Sequence, residues 1–344
     1  GSSFPTRRFE RPPMKLFRNL AVVLAVLAAT GLAMHPLESR LVSGMRDRGL
    51  LQEPLSLETR EDLGITGLAI ALGGLRSLIA SMLNLRAHEH WQNQRWFELA
   101  KTYQTATALQ PQTRYYWEVA SWHLVSNAYA DYEDKPGVPE GRRRELQQQF
   151  FEKGMAFLEE AVRRNPDDWR LWAALGHGHS QTWRPQDLSA AADAYRRAAE
   201  LSGSLQMQRQ HLYSLCRVAG REAEAWEAAQ AVWANPHNRR FPSTRSIFFA
   251  MQEWAAPPPA ERIPLEEIFG GRRETLLNLA DYWPRQRQGY PMHGIAPALE
   301  ELSREFRVPE RLDPLRQPIP KWISQLRGPF RTWVLQQPEP GKNP

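Results

Sequence analysis

Between Trp169 and Gly203 the chain reads WRLWAALGHGHSQTWRPQDLSAAADAYRRAAELSG, two stretches of small and apolar residues at three- and four-residue intervals, broken at Arg184-Pro185. That period puts Trp172, Leu175 and Gly176 on one face of a first helix, and Ala191, Tyr195 and Ala198 on one face of a second. Small residues at Gly176, Ala191 and Ala198 let the two axes approach closely, while Trp172 and Leu175 fill the seam. The stretch predicts an antiparallel helical hairpin.

Related patterns flank it. Ala80 to Pro111 carries Leu83, Ala87, Trp96, Leu99, Tyr103 and Ala106; Arg114 to Pro166 carries Trp117, Ser121, Gly154, Leu158 and Ala161; Gln206 to Pro236 carries Leu212, Tyr213, Gly220, Ala225 and Ala229. The order Trp172-x2-Leu175-Gly176-x2-His179, then Ala191-x3-Tyr195-x2-Ala198, resembles the tetratricopeptide repeat, a helical hairpin of 34 residues. His90, His179 and Cys216 depart from its pattern, each standing where an aromatic is usual. The resemblance implies an all-α fold, a right-handed α-solenoid of about four repeats over residues 80–236, and a binding role. Pro111 and Pro166 lie 55 residues apart, 21 more than one period, so the second unit is expected to hold an insertion near 131–145. Its turn, DYEDKPGVPEGRRR, is marked as a loop by Pro136, Gly137 and Pro139.

Beyond Pro236, residues 237–308 contain three further helical patterns, Ser246 to Trp254, Leu265 to Tyr282 and Gly294 to Phe306, expected to cap the array. Residues 309–344 form a proline-rich tail that is not expected to make long helices. Trp322, Ile323, Phe330 and Trp333 predict that this tail packs on the rest of the chain.

The N-terminal side reads differently. Residues 1–19 are basic, with Arg7, Arg8, Arg11, Lys15 and Arg18, and LAVVLAVLAATGLAM from Leu20 to Met34 has no charge before His35-Pro36. Residues 20–36 are read as a transmembrane signal-anchor; a cleaved signal peptide is the other reading, but Gly31-Leu32-Ala33 is a weak cleavage site. The basic flank keeps the N-terminus cytoplasmic, which makes the protein single-pass in a bacterial inner membrane with its body in the periplasm. Residues 37–79 form a connector. The apolar run from Leu63 to Leu85 is broken by Gly64, Gly67, Gly73 and Gly74 and has Arg76 in its middle, so it is not read as a second span, and residues 63–74 admit either strand or helix.

Composition narrows the chemistry. One cysteine, Cys216, allows neither an intramolecular disulfide nor a cysteine-based zinc site. The net charge of +6 comes from acidic and basic residues interleaved along helices, without an Arg/Lys tract or a nucleic-acid module, so no nucleic-acid partner is expected. His88-Glu89-His90 and His177-Gly178-His179 place histidines at i and i+2, which point apart on a helix, so no metal is expected. No phosphate loop, dinucleotide fingerprint or nucleophile elbow occurs, and neither catalysis nor a cofactor is expected.

The resemblance further implies that the first helices of successive units line a concave groove for a protein or peptide. Carried over residue by residue, that groove comprises Asn84, His88, Trp91 and Gln92, then Tyr115, Glu118 and Trp122, then Arg170, His177 and Gln181, and finally Gln210, Ser214 and Arg217. The function expected is a non-catalytic, membrane-anchored scaffold in a cell-envelope assembly. The alternative is an envelope glycan-processing enzyme on a helical-repeat body.

Overall fold

The computed structural model describes Arg40, residues 76–182 and residues 184–338. The expected anchor at 20–36, the run at 63–74 and the last residues of the tail lie outside them. Among the described residues no helix is long and apolar enough to cross a membrane.

The described chain is all-α, with thirteen helices packed in adjacent pairs. In order they are α1 (Arg76–Gln92), α2 (Trp96–Leu109), α3 (Arg114–Trp122), α4 (Glu140–Arg164), α5 (Trp169–Ser180), α6 (Leu188–Ser202), α7 (Leu205–Leu215), α8 (Glu222–Ala234), α9 (Pro242–Ala255), α10 (Leu265–Phe269), α11 (Arg272–Tyr282), α12 (Ile295–Glu305) and α13 (Arg327–Gln336). Chain neighbours pair from α1 to α9.

Local chemistry sets the ends. Asp168 accepts from Arg170 N at 3.0 Å to start α5, and Asp187 accepts from Ala190 N at 2.9 Å to start α6. Gly203 closes α6 at φ +65°, a left-handed conformation that glycine adopts without strain. Close approach between α5 and α6 rests on Gly176: a β-carbon there would stand 3.0 Å from the Tyr195 ring.

Two joints share one geometry. Gln110 after α2 has φ/ψ of −133/65° and Asn165 after α4 has −134/64°; Thr113 before α3 has −88/93° and Asp168 before α5 has −85/96°. In each joint an indole closes the turn, Trp117 Nε1 donating to Pro111 O and Trp172 Nε1 to Pro166 O, both at 2.9 Å. Asn165 also reaches back, its Nδ2 donating to Pro111 O at 3.0 Å. The sequence spacing of 55 residues is thus a structural spacing too.

The extra residues between these joints lengthen helices on both sides of a short loop. After α3 the helix continues through a π-turn, His123–Ala128, to Asp131, and α4 starts at Glu140 and runs for 25 residues. The insertion is therefore helical from Glu140, and the irregular part covers only residues 132–139. Asp131 pins it, accepting from Trp96 Nε1 at 2.7 Å and pairing with Lys135.

From α7 onward one core dominates. Leu212, Ile247, Met251, Phe269, Leu276, Leu299, Trp322 and Phe330 are buried together, whereas Ala191, Tyr195, Ala198 and Met207 form a smaller cluster. The expected helix over 265–282 is two helices, because Gly270 and Gly271 take φ of +91° and +135° and turn the chain between α10 and α11. The tail also departs from expectation. It is helical almost continuously from Ile319 to Gln336: Pro320 falls in the first turn, where a missing N–H costs little, and Pro329 follows a π-turn at Trp322–Leu326. It packs on α11, with Arg327 Nε 2.7 Å from Asp281 Oδ1 and Arg273 Nη2 donating to Gln337 O at 2.5 Å.

Candidate functional site

Helices α3 and α5 both pack on α4 and approach one another, leaving a cleft of about 430 Å³ between them. On α3, Glu118, Val119 and Trp122 follow at helical spacing, and the π-turn then adds Val125 and Ser126. On α5, Ala174, His177 and Gly178 share a face, and Gln181 follows one turn later. Leu158 of α4 closes the floor. That floor is deep because α5 sits tightly on α4: a β-carbon at Gly178 would come within 2.5 Å of Met155 Sδ.

The walls are apolar and the rim is polar. Trp122 is 59% exposed, so its ring forms an open side wall. Glu118 is paired with Arg114 at 3.3 Å. Gln181 Nε2 donates to His177 Nε2 at 2.6 Å, and burial, with Arg184 beside it, holds the His177 imidazole below its usual pKa. Arg184 lines the inner end, donating from Nη2 to Ser126 Oγ at 3.2 Å and lying over the Tyr129 ring; burial pushes its pKa down to about 10.

A second, shallower depression of about 710 Å³ is lined by Trp91, Gln92, Gln94, Trp96, Asn127, Ala130 and Asp131. Beside it runs a line of rings: His88 to Trp91 at 5.1 Å, Trp91 to His123 at 5.6 Å, and His123 to Tyr103 at 6.4 Å between centroids. Asn127 Nδ2 lies 2.9 Å from His123 Nδ1. Burial, reinforced by His88, pushes the His123 pKa down to about 4.

The thirteen groove residues read from the sequence divide accordingly. Glu118, Trp122, His177 and Gln181 meet in the cleft, and Trp91 and Gln92 line the shallower depression, with the His88 ring tilted against Trp91. Asn84 is engaged by the Tyr103 hydroxyl, which donates to its Oδ1 at 3.0 Å. Tyr115 and Arg170 are exposed outside the cleft, the latter over the Trp169 ring. Gln210 is half-buried and Ser214 buried. Arg217 is turned to the C-terminal region, donating to Gln288 O at 2.6 Å and lying over Tyr290.

Val119, Val125, Leu158, Ala174, Arg184 and His123 were not among the groove residues expected from the sequence. The π-turn is the reason for one of them, since it adds a residue to one turn and moves Val125 out of the register that a regular α-helix predicts. His90 is buried while His88 is exposed, as their i, i+2 spacing requires. Among the described residues no three His, Cys, Asp or Glu side chains converge so that they could hold a metal ion. No protein-family model matches this sequence, and no curated protein matches it.

Proposed function

We propose that this protein is a non-catalytic scaffold, anchored in a bacterial inner membrane through residues 20–36, whose periplasmic body binds a segment of another protein. Its helical pairs stack as a tetratricopeptide-like right-handed solenoid. In support are the two equivalent joints at Pro111–Trp117 and Pro166–Trp172, and the close α5–α6 approach at Gly176.

The cleft between α3 and α5 carries the binding reading. It gathers four of the expected groove residues, Glu118, Trp122, His177 and Gln181, around an apolar floor. A cleft of that kind suits one bulky apolar side chain of a peptide, with the polar rim meeting its backbone.

Replacing Trp122 with the photo-crosslinker p-benzoylphenylalanine in the membrane-bound chain tests this. The expected result is an adduct mapping to one defined segment of one protein, displaced by a synthetic peptide of that segment. Adducts no different from those formed by the same crosslinker at exposed Gln149, or none, would overturn it.

A further inference from the structure

The turn after α11, Trp283–Gln288, helps to bring two arginines onto one ring. Arg217, just past the end of α7, has its guanidinium 5.0 Å from the Tyr290 centroid, and Arg285 lies 5.3 Å from the same centroid. A third, Arg209 on α7, lies 3.9 Å over the Phe241 ring. Tyr213 falls between Arg209 and Arg217 in sequence, four residues from each, and shares a hydrogen bond of 2.7 Å with Thr244.

None of the three is neutralised. Arg217 donates to Gln288 O at 2.6 Å and to Gln186 Oε1 at 3.3 Å, and Arg209 donates to Asn238 Oδ1 at 2.6 Å. Among the described residues no carboxylate forms an ion pair with Arg209, Arg217 or Arg285. Arg221, four residues beyond Arg217, shows the contrast, since Asp193 holds it at 3.1 Å and Glu224 at 2.7 Å. Burial raises the pKa of Tyr213 and of Tyr290, and the arginines oppose it, Arg209 and Arg285 at Tyr213, Arg217 and Arg285 at Tyr290. Like charges held on one ring repel, and an arriving anion relieves that repulsion. A guanidinium whose face lies on an aromatic ring keeps an edge of N–H groups with which to take a carboxylate.

We propose that Arg209, Arg217 and Arg285 form a binding site for the carboxylates of an acidic protein segment. The site continues from the cleft: Gln186, which accepts from Arg217, donates to Ser180 O at 2.7 Å, and Ser180 adjoins Gln181 on the cleft rim. A segment with an apolar side chain in the cleft can thus lay flanking acids on these arginines. The site depends on the reading above only in that its ligand is a protein segment. The groups that hydrogen-bond these arginines, Gln186, Asn238 and Gln288, are polar, whereas a bilayer surface calls for aliphatic side chains around the charges.

The test is calorimetric titration of the full chain, in detergent micelles, with hexaglutamate peptide. Expected is binding that weakens as salt is raised and that is roughly tenfold or more weaker in Arg217→Gln/Arg285→Gln. Affinity should be unchanged in Arg142→Gln/Arg144→Gln on α4, and hexaglutamine should not bind. Arg285→Gln alone should also weaken binding, and it tests the site if the double variant unfolds. No heat with hexaglutamate, or equal affinity in the wild type and the Arg217 and Arg285 variants, overturns the proposal. Tighter binding of tripolyphosphate, lost in the same variants, also overturns it and assigns the arginines to phosphate. Hexaglutamate binding that follows the arginines, while the crosslinker at position 122 traps nothing, supports this site and overturns the cleft reading alone.

Discussion

Gly154 of α4 and Val125 of the π-turn after α3 are so close that a β-carbon on the glycine would stand 2.3 Å from Val125 Cγ2. Val125 N and Ser121 O lie 3.0 and 3.1 Å from the same point, so backbone as well as side chain closes the space. Gly154→Ala is expected to lower stability by about 1–3 kcal/mol, the usual cost of overpacking. Combined with Val125→Ala it should cost less than the sum of the two single variants, because they share one contact. Urea unfolding of the four proteins in the cycle measures both quantities.

The indole of Trp172 contributes one hydrogen bond to the joint at Pro166. Trp172→Phe keeps most of the ring and removes that donor, so a loss of about 0.5–1.5 kcal/mol is expected in urea unfolding. An unchanged midpoint would remove the hydrogen bond from the account of the joint.

Trp122 is exposed and its ring faces the cleft. Trp122→Ala should change stability by no more than about 0.5 kcal/mol. Affinity for the crosslinked segment should fall roughly 30-fold or more, the behaviour of an aromatic anchor. Calorimetric titration with the peptide, beside thermal unfolding, separates the two effects.

Acid should weaken the fold. The pKa of His123 is pushed down from 6.5 to about 4, so the unfolded chain takes up its proton near pH 6.5 and the folded chain only near pH 4. Across that window the unfolded state binds more protons, and stability rises with pH. His90, His177, His179 and His211 are shifted in the same direction, each mainly by burial. The urea midpoint should fall between pH 7 and pH 4.5, and His123→Gln should remove part of the slope. A flat midpoint over that range would contradict the burial of these rings.

The helical pairs from Ala80 to Pro236 were legible because their small residues sit where helices touch: Ala87, Ala106, Ala161, Ala191, Ala198 and Ala229 are all fully buried. What escaped the sequence has local causes. A π-turn leaves no mark in hydrophobic spacing, so the cleft wall at Val125 was hidden. Prolines at 320 and 329 read as breakers although a first turn accepts the one and a π-turn precedes the other, and the split at Gly270-Gly271 depends on left-handed backbone that two glycines permit but do not dictate. Four of the thirteen groove residues reached the cleft. All thirteen were assigned by position in a repeat, and position does not reveal that Tyr103 engages Asn84 or that Tyr290 and Gln288 hold Arg217.

The matched joints at Pro111–Trp117 and Pro166–Trp172 separate two properties of the array. Each is built from eight consecutive residues, Gln110–Trp117 and Asn165–Trp172, and both keep one geometry although α4 is nearly twice as long as α2. Helix length can therefore change without redirecting the chain at the next junction. The long α3–α4 pair supplies one wall and the floor of the cleft while the joints on either side of it keep one geometry.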